Sequence, residues 1–358
     1  MYAFTSILLV AALAKKPPAK EEAPAAEPAA APVPPIERAL NDPLTYAKKL
    51  IATCTPTGKD LVGRDQSTSN EYMFSLYGSG GLAVGQAIQV GPPEDFMKNV
   101  KGNRPIDILV GLPVGLFEVA RTYAHRSAYE ALQAAGAKVA LDKTYRNFYF
   151  GPEKQLVVTY GTTFSTREMA MTVPNELRFG RYRFVDGGDG SGGAEGIYGL
   201  VDRSVATLTE ARVAMDLLNC GWEDGSLTPA HWLPLFSDVE TALFATLEME
   251  YYSMQFLRFA KSAHSENFQA TLENKALMQA MVEVDNRAKA LQTEWEEKGS
   301  ALVGRITAKG LASEWSAKSI RIGDQGMGRY VEQREKLNAV MNDPTMTEIS
   351  SAVAARAR

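Results

Sequence analysis

The stretch LMQAMVEVDNRAKALQTEW, residues 277–295, decides how the carboxyl-terminal half of this chain folds. Its apolar side chains recur at alternating intervals of four and three residues, which places them on one face of an α-helix. The repeat lasts only about two and a half heptads, whereas a free-standing coiled coil needs three to four. The helix is therefore predicted to pack against another helix of the same chain. The repeating residues are Leu277, Met281, Val284, Ala288, Leu291 and Trp295.

The preceding segment, residues 239–259, can supply that partner. It carries a similar apolar stripe that includes Leu243, Leu247 and Met254. The two segments are therefore predicted to form a long antiparallel helical hairpin. The acidic residues Glu248 and Glu250 are interpreted as part of a solvated helix face. Helical spacing dominates from Val201 to the carboxyl terminus, with breaks expected at residues 221–229, residues 262–267, Gly299 and residues 322–328.

The amino-terminal half has a different pattern. Residues 106–113, IDILVGLP, are predicted to form a buried strand, followed by a helix over residues 114–136 and a short strand over residues 137–141. A strand, a helix and a strand in this order indicate a right-handed crossover with parallel strands. The turn from Gly111 to Gly115 would then lie at the carboxyl end of a strand, where such sheets commonly bind ligands.

Further strands are predicted where tyrosine, phenylalanine and valine are frequent, and the first two of these would form a hairpin. The fold class is therefore α+β: a small mixed-sheet α/β domain over residues 36–196, then an all-helical domain over residues 197–358 that contains the antiparallel hairpin. The predicted strands cover residues 71–78, 82–91, 143–150, 154–161 and 176–185.

The amino terminus is predicted to be an export signal followed by a tether. Residues 1–14 contain about twelve apolar residues, too few for the roughly 20 that a membrane-spanning helix needs. Ala12 and Ala14 provide the small residues that a signal peptidase requires, so cleavage is expected after Ala14. Residues 15–35 consist almost wholly of alanine, proline, lysine and glutamate and are predicted to be disordered. The alternative is a frayed amino-terminal helix of a cytoplasmic protein.

Composition and charge narrow the classes of partner. The chain has 22% charged residues and a formal net charge of −4, so it lacks the basic excess that attracts nucleic acid. No nucleic-acid partner is expected. No later segment approaches 18 uninterrupted apolar residues, so no integral membrane span is expected either. A periplasmic or cell-envelope location in a bacterium is the predicted destination.

The chain has two cysteines, Cys54 and Cys220. In an oxidising compartment two cysteines of one chain are commonly paired, so a disulfide between them is predicted. A bond that closes a loop of this length would stabilise the fold by about 4–5 kcal/mol in the chain-entropy description. The alternative is two free cysteines that act as small buried hydrophobic residues.

The glycine-rich stretch VDGGDGSGGAEG, residues 185–196, permits three interpretations. The spacing of its glycines matches the G-x-G-x-x-G of dinucleotide folds, but its acidic side chains would repel phosphate. A cation site is a second possibility, because Asp186, Asp189 and Glu195 offer hard oxygen ligands. A mobile loop or hinge between domains is the third and is favoured, because so many glycines produce such spacings by chance.

No catalytic motif can be assembled from local spacing. The three histidines, His125, His231 and His264, stand far apart in sequence, so they do not form a zinc motif. The nucleophile elbow G-x-S-x-G, the phosphate-binding P-loop and the C-x-x-C motif do not occur. No cofactor is expected, and whether the protein is an enzyme stays open.

Two functions from different classes remain. The first is an exported, non-catalytic protein of the cell envelope whose helices provide a structural or protein-interaction surface, with a protein partner or a second copy of itself. The second is a secreted protein that binds a small ligand, or a hydrolase, with its site at the turn from Gly111 to Gly115. The first is favoured because no catalytic constellation is recognisable.

Overall fold

The structure, a computed structural model, describes residues 35–77, 83–137, 139–140, 142–191, 193–222 and 227–358. The predicted signal peptide, residues 1–14, lies outside the described residues. So does the predicted tether of residues 15–35, except that its last residue, Pro35, begins the 3₁₀ turn Pro35–Glu37. The described residues from Pro35 to Arg358 form one compact unit.

Two short helices open this unit, and both begin at a proline. Helix α1 (Pro43–Cys54) is capped by Asp42, whose Oδ1 accepts a hydrogen bond from the backbone N–H of Thr45 at 2.9 Å. Helix α2 (Pro56–Ser67) follows after a single residue. Proline suits the first helical position because its fixed φ matches the helix and its missing N–H would have no helical partner there.

The predicted strand at residues 106–113 is wrong, because these residues begin the long helix α3 (Pro105–Ala134). Pro105 occupies the first turn, and the Asp107 carboxylate accepts a hydrogen bond from the backbone N–H of Arg104 at 3.0 Å. An apolar run of this length suits a buried helix as well as a buried strand. The described residues of 137–141 contain no strand either, so the predicted parallel crossover is also wrong.

Glycine at positions 111 and 115 serves packing inside α3. A Cβ on Gly115 would come within 2.1 Å of the carbonyl oxygen of Phe96, and one on Gly111 within 2.9 Å of the Cα of Val100. The two glycines stand four residues apart on one face of the helix. The segment that contains Phe96 and Val100 can therefore lie directly against the helix backbone.

The described amino-terminal half contains two antiparallel strand pairs, whose four strands were all predicted from the sequence, although the pairing was predicted only for the first two. Strand β1 (Glu71–Tyr77) pairs with β2 (Ala83–Gln89), and β3 (Tyr145–Tyr149) pairs with β4 (Gln155–Thr159). Helix α4 (Thr166–Ala170) follows them.

The fifth predicted strand, residues 176–185, is wrong: the segment forms the 3₁₀ turns Asn175–Leu177 and Tyr182–Phe184. Its backbone donors find partners other than a neighbouring strand. The N–H of Arg181 donates to the Glu248 carboxylate at 2.7 Å, and the N–H of Phe184 donates to the Arg181 carbonyl at 2.9 Å.

Helix α5 (Gly196–Asn219) is the central element, and every residue in it except Arg212 and Asn219 is buried. A helix enclosed on all sides in this way belongs to the core of a larger protein. It packs against α3 and against α6 (Pro229–Ala263). Helix α5 starts where the second domain was predicted to begin. The main hydrophobic core contains residues from both sides of that predicted boundary.

The predicted antiparallel hairpin consists of α6 and α8 (Lys275–Ala308), with the short helix α7 (Ser265–Glu273) between them. Near one end of the hairpin, the indole N–H of Trp295 donates to Glu240 Oε1 at 2.6 Å. Nearer the other end, Met254 and Met281 line the same cavity. The early part of α6 therefore lies beside the late part of α8.

The predicted break at Gly299 is wrong, because α8 continues through it to Ala308. This glycine is required by a close approach, since a Cβ there would lie 2.4 Å from the indole ring of Trp315. Trp315 belongs to a small antiparallel sheet formed by β5 (Ser313–Trp315), β6 (Ser319–Ile322) and β7 (Gln325–Gly328). Strands β5 and β6 lie where helix was predicted, and β7 lies within the predicted break at residues 322–328; three or four residues are too few to show an alternating pattern.

Helices α9 (Val331–Met341) and α10 (Pro344–Ala357) complete the chain, and α10 packs against α6 and α8. The predicted fold class, α+β with a helical carboxyl-terminal region, is confirmed, but that region is mostly rather than wholly helical, and the described strands form separate antiparallel sheets instead of one mixed sheet. No helix in the described part of the chain combines the length and the apolar composition that crossing a bilayer requires.

The predicted disulfide between Cys54 and Cys220 is also confirmed. It joins the last residue of α1 to the residue that follows α5, across 166 positions of sequence, with the two Cα atoms 5.3 Å apart. The bond therefore fixes the amino-terminal helices to the end of the central helix.

Candidate functional site

The three carboxylates of the predicted cation site are bonded to the loop itself and to arginines. Asp186 Oδ1 accepts from the backbone N–H of Gly188 at 2.8 Å. Asp189 Oδ2 accepts from Arg203 at 2.6 Å, and its Oδ1 accepts from Ser191. Glu195 contacts Arg146 at 3.2 Å and Arg203 at 4.0 Å. Arg203 thus brings Asp189 and Glu195 together, whereas Asp186 bonds within its own turn.

Behind the loop these contacts continue as an arginine cluster, formed by Arg121, Arg146 and Arg203 with their carboxylate partners. Arg121 lies 3.3 Å from the buried carboxylate of Asp202. Arg146 donates to His125 Nδ1 at 2.9 Å, and because a guanidinium can only donate, this nitrogen of His125 carries no proton. Burial, and then the charge of Arg146, lower the pKa of His125. His125 is therefore a neutral acceptor.

The cluster holds α3, β3 and the start of α5 together through charges that are paired with one another. Among the described residues no group of three histidine, cysteine, aspartate or glutamate side chains is arranged to hold a metal ion. The predicted cation site at Asp186, Asp189 and Glu195 gains no support from this geometry and stays a prediction. The nucleotide and hinge interpretations of the loop stay predictions too.

The ligand site predicted at Gly111 to Gly115 depended on a strand-to-helix turn that does not exist, and that placement is wrong. Gly111 does border a shallow hollow of about 620 Å³ between α3 and the start of α6. Most of its charged side chains already have partners, because Arg104 binds Asp107 through two hydrogen bonds and His231 Nε2 lies 2.7 Å from Glu37, while Lys101 also lines it. The hollow therefore presents few polar groups that lack a bond.

A different site lies between α6, α8 and the carboxyl-terminal helices, and we call it the α6–α8 cleft. It consists of two adjoining cavities, an inner one of about 260 Å³ and an outer one of about 580 Å³. The inner cavity has largely apolar walls, whereas the outer one is lined by polar side chains that include Lys289 and Arg334. The residues that line both are Glu250, Met254, Asp285, Met341 and Ser350.

Helical spacing places these side chains in the cleft. Glu250 and Met254 stand four residues apart on α6, and Met281 and Asp285 stand four apart on α8, so each pair shares one helix face. Because the two helices run antiparallel, these faces meet across the cleft. Ser350 of α10 lies opposite them.

Glu250 is the unusual residue of the cleft. Its side chain is half-buried, and its Oε1 atom is buried without a hydrogen-bond partner. Burial, together with the nearby charge of Asp285, raises the pKa of Glu250 to about 8, although Lys289 acts in the opposite direction. At neutral pH the carboxyl group is therefore mostly protonated while the cleft is empty.

The cleft has the features of a binding site more than of a reactive one. Its two inner serines already donate hydrogen bonds to their own helices, Ser204 to the Leu200 carbonyl and Ser253 to the Met249 carbonyl, both at 2.9 Å. Neither hydroxyl is bonded to a base that could activate it as a nucleophile. What remains is a mostly apolar chamber with two carboxyl groups at its junction with the outer cavity, those of Glu250 and Asp285, of which Asp285 is paired with Lys289.

The interpretation of Glu248 and Glu250 as a solvated face is wrong. Glu248 is buried, accepts from the Tyr252 hydroxyl at 2.9 Å, and has a pKa raised to about 7 mainly by burial. The sequence held a signal for Glu250, because Leu243, Leu247, Glu250 and Met254 follow intervals of four, three and four. An acidic residue stands where the stripe requires an apolar one, which indicates a carboxyl group that faces inward.

The arginine cluster and the α6–α8 cleft thus differ in one respect that matters for function. In the cluster every arginine has a carboxylate partner, even though Arg203 Nε is buried without a hydrogen bond, whereas in the cleft the Glu250 carboxyl has a buried oxygen without a hydrogen bond and no ion pair. Polar groups of the second kind are more often found where a ligand binds. Comparison of the chain with protein-family models, with curated proteins and with solved structures found no match, so the cleft is interpreted from its own residues.

Proposed function

We propose that this protein is a binding protein whose α6–α8 cleft holds a small amphipathic molecule. The observation that carries this proposal is the buried, unbonded Oε1 of Glu250 at the mouth of an apolar cavity. A buried acceptor without a partner costs about 1–3 kcal/mol. A ligand that donates a hydrogen bond to this oxygen would remove that cost and would be oriented by it.

The shape and lining of the cleft support the same proposal. Small-molecule sites are concave, mostly apolar and equipped with a few polar groups that set orientation, and typical volumes begin at roughly 300 Å³. The inner cavity, at about 260 Å³, suits the apolar part of a small ligand. Met254, Met281 and Met341 line it, and methionine side chains adapt readily to ligands of different shape.

Binding can be tested with short amphipaths that share one tail, namely 1-hexanol, hexanoate and hexylammonium. We expect at least one of them to raise the melting temperature and to shift the NMR signals of the cleft methionines. The substitution Ser350→Phe, at an exposed residue that lines both cavities, should weaken this binding by about tenfold or more, because the new ring occupies the space of the ligand tail.

Ser351→Phe provides a matched control, since Ser351 is the next residue of α10, is also exposed, and does not border either cavity. It should bind the amphipaths as the unaltered protein does. If none of the three molecules shifts the melting temperature or the methionine signals, the proposal of a binding cleft is wrong.

Export to the periplasm or cell envelope is part of the proposal. It is supported by the signal-like pattern of residues 1–14 and by the Cys54–Cys220 disulfide, a bond that persists mainly in oxidising compartments. Two free thiols in protein recovered from its native compartment would contradict it. The predicted protein partner or self-association stays a prediction, on which the cleft has no bearing.

A further inference from the structure

We propose that the ligand of the α6–α8 cleft is an organic cation, an amine whose charged group binds Glu250 and whose apolar tail enters the inner cavity. This inference rests on the proposed function and specifies its ligand class. It follows from the charges that surround the cleft.

Each cationic side chain that faces the cleft already has a carboxylate partner. Lys289 Nζ lies 2.7 Å from Asp285, and both residues belong to α8. Arg334 of α9 lies 3.5 Å from the buried Glu240 and also donates to Gln292. The cleft-facing residues of α5 and α10, which include Ser204 and Ser350, carry no charge.

Glu250 is therefore the ionisable group of the described cleft that lacks a counter-ion. An ionised carboxylate surrounded by apolar side chains is strongly unfavourable unless a cation compensates it. A ligand ammonium group would supply both the missing charge and the missing hydrogen bond to Oε1, and such charge-assisted bonds are the stronger kind. An anionic ligand would instead place like charge beside Asp285 and would favour the protonated form of Glu250.

The inner cavity then determines where the rest of the ligand lies. Beyond Glu250 most of its walls are aliphatic and thioether side chains, with Val201, Val284 and Val353 among them, and the rest are polar side chains such as Ser204 and Asn286. Burial of an alkyl chain there is favourable because it removes apolar surface from water. The preferred ligand is therefore a primary amine on a short apolar tail.

Proton linkage gives this ligand class a distinctive signature. Without ligand, burial keeps Glu250 protonated up to a pKa of about 8, and a bound cation favours the ionised form. Below that pH, binding of the cation must therefore release a proton, so affinity should rise by about tenfold per pH unit and level off above it. A neutral ligand with the same tail should show no such rise.

The test is titration calorimetry with hexylammonium and 1-hexanol between pH 6 and pH 9. We expect hexylammonium to bind about tenfold or more tightly than 1-hexanol at pH 8.5, and the preference to shrink as the pH falls. Glu250→Gln should abolish the preference and its pH dependence while it retains the affinity for 1-hexanol. Glu297→Gln, a matched change at an exposed position of α8, should leave both unchanged.

The outcomes separate the two proposals. If 1-hexanol binds but hexylammonium binds no better, or if Glu250→Gln keeps the preference, the ligand is not a cation held by Glu250, and the binding cleft itself stands. If neither molecule binds at any pH, the proposed function fails and the cation assignment fails with it.

Discussion

At the scale of single residues, Glu250 shows how position determines the behaviour of a carboxyl group. Its neighbours in the sequence give it the appearance of an ordinary surface glutamate, yet it occupies a core position of the apolar stripe on α6. The spacing could have revealed that Glu250 faces inward. Its raised pKa could not be predicted, because it depends first on burial by other parts of the chain and then on the charges of Asp285 and Lys289, which belong to α8.

This raised pKa predicts how stability depends on pH. The pKa of Glu250 rises from 4.5, the ordinary value expected in the unfolded chain, to about 8 in the folded protein. Between these values the folded protein binds the proton more tightly, so Glu250 destabilises the fold progressively as the pH rises from about 4.5 to about 8. Glu250→Gln should therefore leave stability at pH 4 nearly unchanged and increase it at pH 9 by at least about 1 kcal/mol.

Urea unfolding at pH 4, 7 and 9 measures this effect, with Glu297→Gln as the control for loss of one exposed charge. The experiment uses protein without ligand, because a bound cation would stabilise the ionised form. Equal stabilisation by Glu250→Gln at pH 4 and at pH 9 would show that the Glu250 carboxyl titrates normally.

At the scale of elements, the sequence predicts the helices whose apolar repeat extends over several turns and the strands whose residue pattern extends over several positions. The α6–α8 hairpin and the strand pairs β1–β2 and β3–β4 all follow their patterns. The wrong predictions of secondary structure have a common cause. In each case the local sequence pattern is compatible with two structures, and contacts with distant residues determine which one forms. Residues 106–113 were predicted to be a strand but belong to helix α3. Gly299 was predicted to end a helix, but it lies within α8, where Trp315 packs against it.

Helix α8 offers a direct test of this distinction, because it contains two glycines in different surroundings. A Cβ on Gly304 would meet no atom within 4 Å, whereas one on Gly299 would lie 2.4 Å from the Trp315 ring. That ring is held by Phe236 and Trp295, so it has little freedom to move. Gly304→Ala should stabilise the protein by about 0.5–1 kcal/mol, and Gly299→Ala should destabilise it by about 1–3 kcal/mol.

Thermal unfolding of the two variants, which differ only in where one methyl group is added, provides the measurement. Stabilisation by both substitutions would mean that Trp315 does not pack against α8 as described. Destabilisation by both would mean that α8 is not a regular helix at Gly304.

At the scale of the whole molecule, α5 packs against helices from both of the domains that were predicted from the sequence. The predicted boundary at residue 196 coincides with its first residue. The sequence could not show that α5 is enclosed by helices from both sides of the boundary. That enclosure depends on contacts between segments that lie far apart along the chain. The buried polar residues of α5 show this, because Asp202 pairs with Arg121 of α3 and Glu210 pairs with Arg181, which precedes α5.

The disulfide acts at this same scale, since Cys54 and Cys220 join the end of α1 to the end of α5 across 166 positions. In the chain-entropy description a cross-link over so long a loop stabilises the fold by about 4–5 kcal/mol, because it restricts the unfolded chain. A protein with both cysteines replaced by serine should lose stability by that amount. A reducing agent should lower the denaturation midpoint of the unaltered protein towards that of the double variant and should leave the double variant unchanged. If reduction does not lower the midpoint of the unaltered protein, the amino-terminal helices are held to α5 by packing alone, and the cross-link adds nothing to the stability of the unit from Pro35 to Arg358.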